Sequence, residues 1–552
     1  MITERLASLV RAALESASAA GELPQGGDAE PKFERPRRRE HGDWATNIAL
    51  GLAQGGGNPR SIAEAIVKHL PESELIAKVE IAGPGFLNFY LDSSWLHDVV
   101  REAADASSPF GRSDVGAGTR VNVEYVSANP TGPLTVVLGR HAAVGDTIVN
   151  LLKATGHEVV REYYFNDAGR QVILFAESVA VRYLERFGVE AEIPEEGYRG
   201  DYVKDFADAI VNETGDALVH VSHEERVEEM RKRVAPPVIA QVRASLERFG
   251  TTFDVWFSEA KLHEAGDVMA AIESLRTKGL IEEREGATWF RSSALGDDKD
   301  RVVIKADGDT TYFAADLGYL LDKAGRGFDR LIYVWGADHH GTIPRLLAAA
   351  DALGVGRERI EIPLIQIVRL LRGGEAIKGS KRAGVLLALD ELLDEVGVDA
   401  ARYTFLTRST DAPLDFDIEA VKEQAPENPV YYVQYAHARI CSILAKAGTE
   451  GIDVDPAAAP LARLEHDAED VLMRKLASFQ EVVLEASGQR SPQKITRYVE
   501  ELAADFSGFY RDCKVVTEDA DLTAARLALC VATKRTIADG LGLLGVSAPE
   551  RM

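Results

Sequence analysis

Cysteine is nearly absent: Cys441, Cys513 and Cys530 are the three in a chain of 552 residues. They lie far apart and form no CxxC, which argues against a disulfide scaffold and a thiolate zinc site and fits a reducing compartment. Long apolar runs are missing too. No stretch reaches the roughly 18 apolar residues of a membrane span, so no membrane partner is expected. Residues 1–20 alternate Leu and Val with Glu and Arg, an amphipathic helix without the apolar core of a secretory leader. A cytoplasmic protein is the expectation. Positive charge is in deficit: the net charge of −25 excludes a general basic coat for nucleic acid and leaves only a local basic groove. No repeat of fixed period occurs.

What is present is ordinary globular material, 46% hydrophobic and 27% charged. At about 150 residues per domain the length suggests three or four domains. Residues 1–112 read as an α+β module. A helix leads into a Gly- and Pro-containing stretch, then a basic run of Arg35, Arg37, Arg38 and Arg39. His41-Gly42-Asp43-Trp44 is expected to open a helix carrying Asn47. Residues 78–81 and 86–91 read as strands joined by Gly83-Pro84-Gly85. Residues 103–118 are small, polar and Gly-rich, a linker.

Between 118 and 390 apolar strands alternate with amphipathic helices. Strands are expected at 121–126, 158–165, 331–335 and 364–368, and a helix at 139–154. This is the βαβ pattern of a doubly wound parallel sheet. Residues from about 172 to 291 read as a helical insertion, and 391–424 as a connecting segment. From 425 to 552 the apolar period is 3.6 almost throughout, a helical bundle. The fold class is therefore α/β: a Rossmann-type sheet domain between an N-terminal α+β module and a C-terminal all-helical bundle.

Two segments carry chemistry. The first is the loop after strand one, Ser127-Ala128-Asn129-Pro130-Thr131-Gly132-Pro133-Leu134, leading into Thr135 and Gly139. A strand-to-helix loop in a parallel sheet is where phosphate meets the free N–H groups of a helix start. It is also, equally, how an ordinary Pro/Gly-rich connection looks. The second is Lys378-Gly379-Ser380-Lys381-Arg382-Ala383-Gly384. Three cations beside glycines suit polyphosphate, where they would neutralise charge on a leaving diphosphate. A solvated basic turn has the same composition.

Together these segments resemble the arginyl-tRNA synthetase family of class I aminoacyl-tRNA synthetases. Residues 123–134 resemble the approach to the family's first ATP signature. Gly197-Tyr198-Arg199-Gly200-Asp201-Tyr202, Gly336-Ala337-Asp338-His339-His340-Gly341, residues 428–439 and residues 544–552 resemble further family segments. The resemblance spans nearly the whole chain. It implies that arginine and ATP, with magnesium, form an enzyme-bound adenylate whose arginyl group passes to tRNA(Arg), and that tRNA must be bound before activation. L-arginine, ATP and tRNA(Arg) are the expected partners, and the chain is expected to be a monomer.

By the same resemblance Glu124, Tyr312 and Asp316 hold the guanidinium and Asn129 the α-amino group. A guanidinium suits planar carboxylate partners. Asp338, His339 and His340 border the ATP ribose, and Lys378, Ser380 and Lys381 serve the diphosphate. The N-terminal module meets tRNA, with Arg37, Arg38 and Arg39 as phosphate contacts. Tyr431, Tyr435 and His437 stack on anticodon-loop bases, although a helix-packing aromatic face reads the same way.

The first ATP signature departs from the family. Its His-x-Gly-His places hold Thr135, Val136, Val137 and Leu138. Thr135 keeps one hydroxyl, and Leu138 offers no donor. Two readings follow. In one, Arg140 or His141, the latter one helical turn past the second lost histidine, supplies the missing phosphate contact. In the other, ATP binding has decayed in a pseudo-synthetase or repurposed paralog that still binds arginine or tRNA. Lys378 and Lys381 favour the first.

Overall fold

The computed structural model describes residues 2–23, 29–36, 38–167, 169–377, 387–425 and 427–552, without the side chain of Arg39. Contacts divide the chain into two compact units. One comprises Met1–Asp105 with Asp455–Ala477 and Thr517–Leu529; the other holds the rest.

In the first unit the helix Ile2–Ala19 buries Leu6, Val10, Ala13 and Ala17, the stripe that a 3.6-residue period creates. Phe86–Leu91 is the centre of a three-stranded antiparallel sheet, between Trp44–Thr46 and Ile76–Ala82. Trp44–Thr46 corrects the helix expected to open there. All three residues are buried and pair with Phe89, Asn88 and Leu87. The helix begins only at Ile48, with Asn47 at its cap position. Gly42 makes the crossing tight: at φ 92°, a Cβ there would stand 2.6 Å from the Phe89 carbonyl oxygen. Asp43 accepts the Leu91 N–H at 2.8 Å and pairs with Arg474.

The second unit is built on a five-stranded, wholly parallel sheet. In space the order is Val255–Ser258, Glu158–Phe165, Arg120–Glu124, Arg330–Tyr333, Ile360–Glu361. By order along the chain this is three, two, one, four, five, the doubly wound arrangement. Val121, Asn122 and Val123 are fully buried, as a central strand covered on both faces requires. Helix Val136–Ala154 follows the first strand and Tyr312–Gly325 precedes the fourth. The latter packs Phe313, Leu317 and Leu320 into a core with Leu331, Leu346 and Phe290.

Two expectations change here. Val255–Ser258, inside the segment read as an insertion, is a strand of the main sheet. Its four residues follow the 26-residue helix His223–Arg248, and the long polar helix masks them in the sequence. The apolar run at 364–368 is not a strand of the five-stranded sheet. Leu364–Ile365 pairs with Trp335–Gly336, and Val368–Arg372 pairs with Leu414–Asp417 in a separate sheet. Pro363 precedes the run and cannot donate to a ladder, so the edge strand is the short Ile360–Glu361 before it.

A buried arginine joins the helices to the sheet domain. Arg402 Nη2 donates to Asp146 Oδ2 at 2.6 Å, and both side chains are buried. Its other nitrogens reach the carbonyls of Phe249 (2.8 Å) and Leu544 (3.2 Å). Removing one partner of a buried pair strands the other charge and costs about 3–5 kcal/mol. Arg402→Met is therefore expected to lower stability by about that amount, and Arg402→Met with Asp146→Leu by less, read from urea or thermal unfolding. A single-variant loss below about 1 kcal/mol would show that the pair is not a keystone.

Candidate active site

Parallel sheets bind ligands at the carboxyl edge where the strand order reverses. Here the reversal lies between Arg120–Glu124 and Arg330–Tyr333. A cavity of about 540 Å3 opens there. It is walled by Glu124 at the end of the first strand, residues 126–129 of the following turn, Val137, Leu138 and His141 of the next helix, Asp316 and Tyr319, and the stretch from Tyr333 to His339.

The turn is held in an uncommon conformation. Val126 and Ser127 have φ of 71° and 34°. A β-branched residue there costs about 1–3 kcal/mol. Tyr163 offsets this: its hydroxyl accepts the Ala128 N–H and donates to the Ala128 carbonyl, each at 3.2 Å. Ser127 Oγ accepts the Tyr164 N–H at 3.2 Å. The turn thus sets Asn129 on the cavity wall.

Acids dominate the wall. Glu124 Oε2 accepts from Lys323 Nζ at 2.6 Å, and the lysine is wholly buried, its nitrogen 4.0 Å from the Tyr333 ring centre and 4.4 Å from that of Tyr319. Glu162 is buried behind it. It takes two bonds from Arg326 (2.6 and 2.8 Å), one from Asn122 (2.8 Å) and one from the Tyr319 hydroxyl. Those partners hold its carboxyl down at about 2 despite burial. Asp316 is placed differently. Desolvation pushes its carboxyl up to about 6; Arg345 nearby opposes the rise and Glu124 adds to it. Glu259, bonded to the Tyr164 hydroxyl, is pushed up to about 7, first by burial and further by Asp316 and Asp167. Arg345 is the one permanent cation among the described residues lining the cavity, and its buried Nε has no partner.

Of the residues singled out in the sequence, Glu124, Asn129, His141, Asp316, Asp338 and His339 share this cavity. Others do not. Tyr312 is 56% exposed, and its hydroxyl accepts the Arg170 N–H at 3.0 Å one turn before Asp316. His340 is exposed outside the wall. Thr135 occupies the helix cap position and bridges to Ala388. Gly139 faces packing rather than ligand: a Cβ would stand 2.8 Å from Leu389 and 3.0 Å from Phe405.

Arg140 is not a phosphate contact. It is fully buried and its guanidinium donates to the carbonyls of Gln366 (2.8 Å), Ser409 (2.9 Å) and Ala412 (3.1 Å). His141 lines the cavity, but burial brings its pKa down to about 4, so it is neutral, and it interacts with the Val334 backbone. A neutral imidazole has one N–H; given to a carbonyl, it leaves a lone pair that phosphate oxygens repel. Lys378, Ser380 and Lys381 lie outside the described residues, as does Arg37.

The surface candidates also divide. His437 is buried, with Nδ1 2.9 Å from the Pro549 carbonyl, so it is unavailable for stacking on a base. Tyr431 and Tyr435 stack on each other at 6.0 Å and 10°. Tyr435 is 41% exposed and takes a 2.7 Å bond from Arg439, whose guanidinium also faces Tyr510 at 5.4 Å. Arg38 is exposed and 3.3 Å from Glu40.

Sequence reasoning missed Lys323, Arg345, Tyr164 and Tyr333. Lys323 left a signal: it stands seven residues after Asp316, two turns along the same helix, on a face otherwise apolar. The others are core aromatics or one cation among many.

Comparison with known proteins gives this geometry a family. The model described as "tRNA synthetases class I (R), catalytic domain" matches residues 110–442. That of the "Arginyl tRNA synthetase N terminal domain" matches 4–91, and that of the "DALR anticodon binding domain" 433–552. Arginine–tRNA ligase of Carboxydothermus hydrogenoformans is 45% identical over 99% of this chain and 98% of its own length. That of Geobacillus kaustophilus is 46% identical over 98% and 97%. The solved arginyl-tRNA synthetase of Thermus thermophilus superposes with a TM-score of 0.77 over all of both chains at 24% identity, a likeness of fold. On this identity along its full length, the chain belongs to the arginyl-tRNA synthetase family of class I.

Proposed function

We propose that the chain charges tRNA(Arg): it joins arginine to ATP as an arginyl-adenylate, releasing diphosphate, and passes the arginyl group to the terminal ribose of the tRNA. One observation supports this best. Glu124 and Asp316, two acids on one wall, line a cavity at the strand-order reversal of a chain with full-length family identity. Arginine's guanidinium lies against Asp316 and Glu124, with charge-assisted bonds to both. Asn129 meets the α-amino group. Tyr312 closes on the guanidinium by turning from Arg170. Asp338 and His339 border the ribose.

Phosphate stabilisation falls to Lys378 and Lys381, with Ser380 beside them, because the geometry removes Arg140 from that work and leaves His141 neutral. Magnesium enters as the counter-ion of the triphosphate, part of the substrate. Tyr431, Tyr435 and Arg439 offer a partly exposed aromatic and cationic face to unpaired bases, and Arg37, Arg38 and Arg39 meet tRNA phosphates. Among the described residues no helix is long and apolar enough to cross a membrane. A monomer in the cytoplasm is the setting we propose.

Aminoacylation of purified tRNA(Arg) with labelled arginine tests the activity, with Lys381→Ala as the background. Charging about 10²-fold above that variant is expected for loss of a transition-state cation. Charging no better than the variant, with arginine still bound in calorimetry, would make the chain a binding protein instead. Asp316→Ala is expected to weaken arginine binding by about 30-fold or more, the scale for breaking a desolvated charge pair; unchanged affinity would remove Asp316 from the pocket. The sign of the pH dependence follows from the raised carboxyl. Arginine binds its ionised form, so affinity is full above pH 6 and falls about tenfold per unit below it. A flat profile from pH 7 to 5 would contradict the assignment.

A further inference from the structure

We propose that Lys323 is a positioning residue for the arginine site: from behind the cavity wall its ammonium fixes the Glu124 carboxylate and so sets how tightly a guanidinium is held. The inference rests on the proposal that Glu124 belongs to the arginine pocket. Lys323 cannot be a ligand contact itself. It is 0% exposed and absent from the cavity lining, while Glu124 is part of it. The 2.6 Å bond takes one oxygen of the carboxylate from the rear, and the ammonium sits between the rings of Tyr319 and Tyr333. Among the described residues Glu124 has no other side-chain hydrogen bond, so Lys323 alone fixes the rotation of the carboxylate and which oxygen turns to the cavity.

Charge makes the arrangement necessary. The wall also holds Asp316, and two carboxylates lining one cavity repel each other unless a cation lies close. The charged and titratable groups around them come from every packed element. Glu162 and Tyr164 come from the second strand, Asp322 and Tyr319 from the Asp316 helix, and Arg326 from its end. Tyr333 comes from the fourth strand, Asp338 and His339 from the turn after it, Arg345 from the following helix, His141 from helix Val136–Ala154, and Glu259 from the edge of the sheet. Arg326 is committed to Glu162 and Asp322. Lys323 is thus the cation committed to Glu124.

The test is arginine binding and steady-state kinetics on the full chain from pH 5.5 to 8.5, for wild type, Lys323→Met, Lys323→Arg, Glu124→Gln and the double variant Glu124→Gln/Lys323→Met. Lys323→Met is expected to weaken arginine about tenfold or more at pH 7.5, the scale for losing a partner that supports a binding group. The pH below which affinity falls should move up by about one unit. The KM for ATP should stay within about twofold, and Lys323→Arg should recover most of the loss. Because Lys323 acts through Glu124, the double variant should bind arginine as Glu124→Gln does. That comparison, with Lys323→Arg, decides the matter if Lys323→Met alone does not fold. Wild-type arginine affinity in Lys323→Met, a loss equal at every pH, or additive losses in the double variant would overturn the proposal. Unchanged affinity in Glu124→Gln would instead overturn the pocket assignment on which it rests.

Discussion

Acidic side chains at the carboxyl edge of the parallel sheet have to be held beside one another in a partly buried wall, and the sheet unit is arranged around that demand. Burial alone drives carboxyls toward their neutral form. Each acid at the carboxyl edge of the sheet meets the problem with a different set of partners. Glu162 is surrounded by Arg326, Tyr319 and Asn122 and has nothing left to offer a ligand. Glu124 is held on one side by Lys323. Asp316 lines the cavity, under the field of Arg345 and, among the described residues, without a bonded cation of its own. The gradient from saturated to open acid runs from the sheet interior to the ligand. Helix Tyr312–Gly325 supplies Asp316, Tyr319 and Lys323 at intervals of three and four residues, so one helix face carries the open acid, the spacer ring and the counter-charge.

The helix after the first strand tells a complementary story. Thr135 to Leu138 lack the imidazole donors of the family's signature, and Gly139 and Arg140 after them are engaged in packing and backbone bonds. Arg140 binds three carbonyls from residues 366, 409 and 412, and Gly139 lets Leu389 and Phe405 approach. Leu387 and Leu389 are bonded to Val136 and Leu134 across the helix start. The helix start is therefore fixed by backbone ties to the chain on the far side of the basic segment. Its ability to present N–H groups to an anion depends on that frame, not on side chains at the signature positions.

Much of this was legible in residue order. The central strand, the helix after it and the second strand follow from apolar runs bounded by turn residues, and their positions shift by a few residues at most. The strand at Val255–Ser258 was not legible, because four residues beside a long polar helix give no period to read. Trp44–Thr46 was misread as a helix because three residues give no alternation to count; burial against Phe89 decides their state. At the site, Glu124 and Asp316 stood out by motif context, and both line the cavity. Their supports did not, since Lys323 on a helix and Tyr333 in a strand carry no local mark of the charge they balance. Arg140 and His437 were misassigned for the same reason in reverse: their polar groups meet backbone carbonyls hundreds of residues away in Arg140's case and at the chain end in His437's, and no sequence spacing records such a partner.

Those distances along the chain have a consequence in time. Asp146 and Arg402 are separated by 256 residues, and at 5–20 residues per second a ribosome takes roughly 13–50 s to make the second after the first. For that interval the central helix carries an acid without its Arg402 partner, and Arg140 on the same helix waits slightly longer for Ala412, 272 residues on. Neither the Asp146–Arg402 pair nor the Arg140–Ala412 bond can form until the later residue has left the exit tunnel. Synthesis order, as much as packing, determines when the cavity at the strand-order reversal first exists.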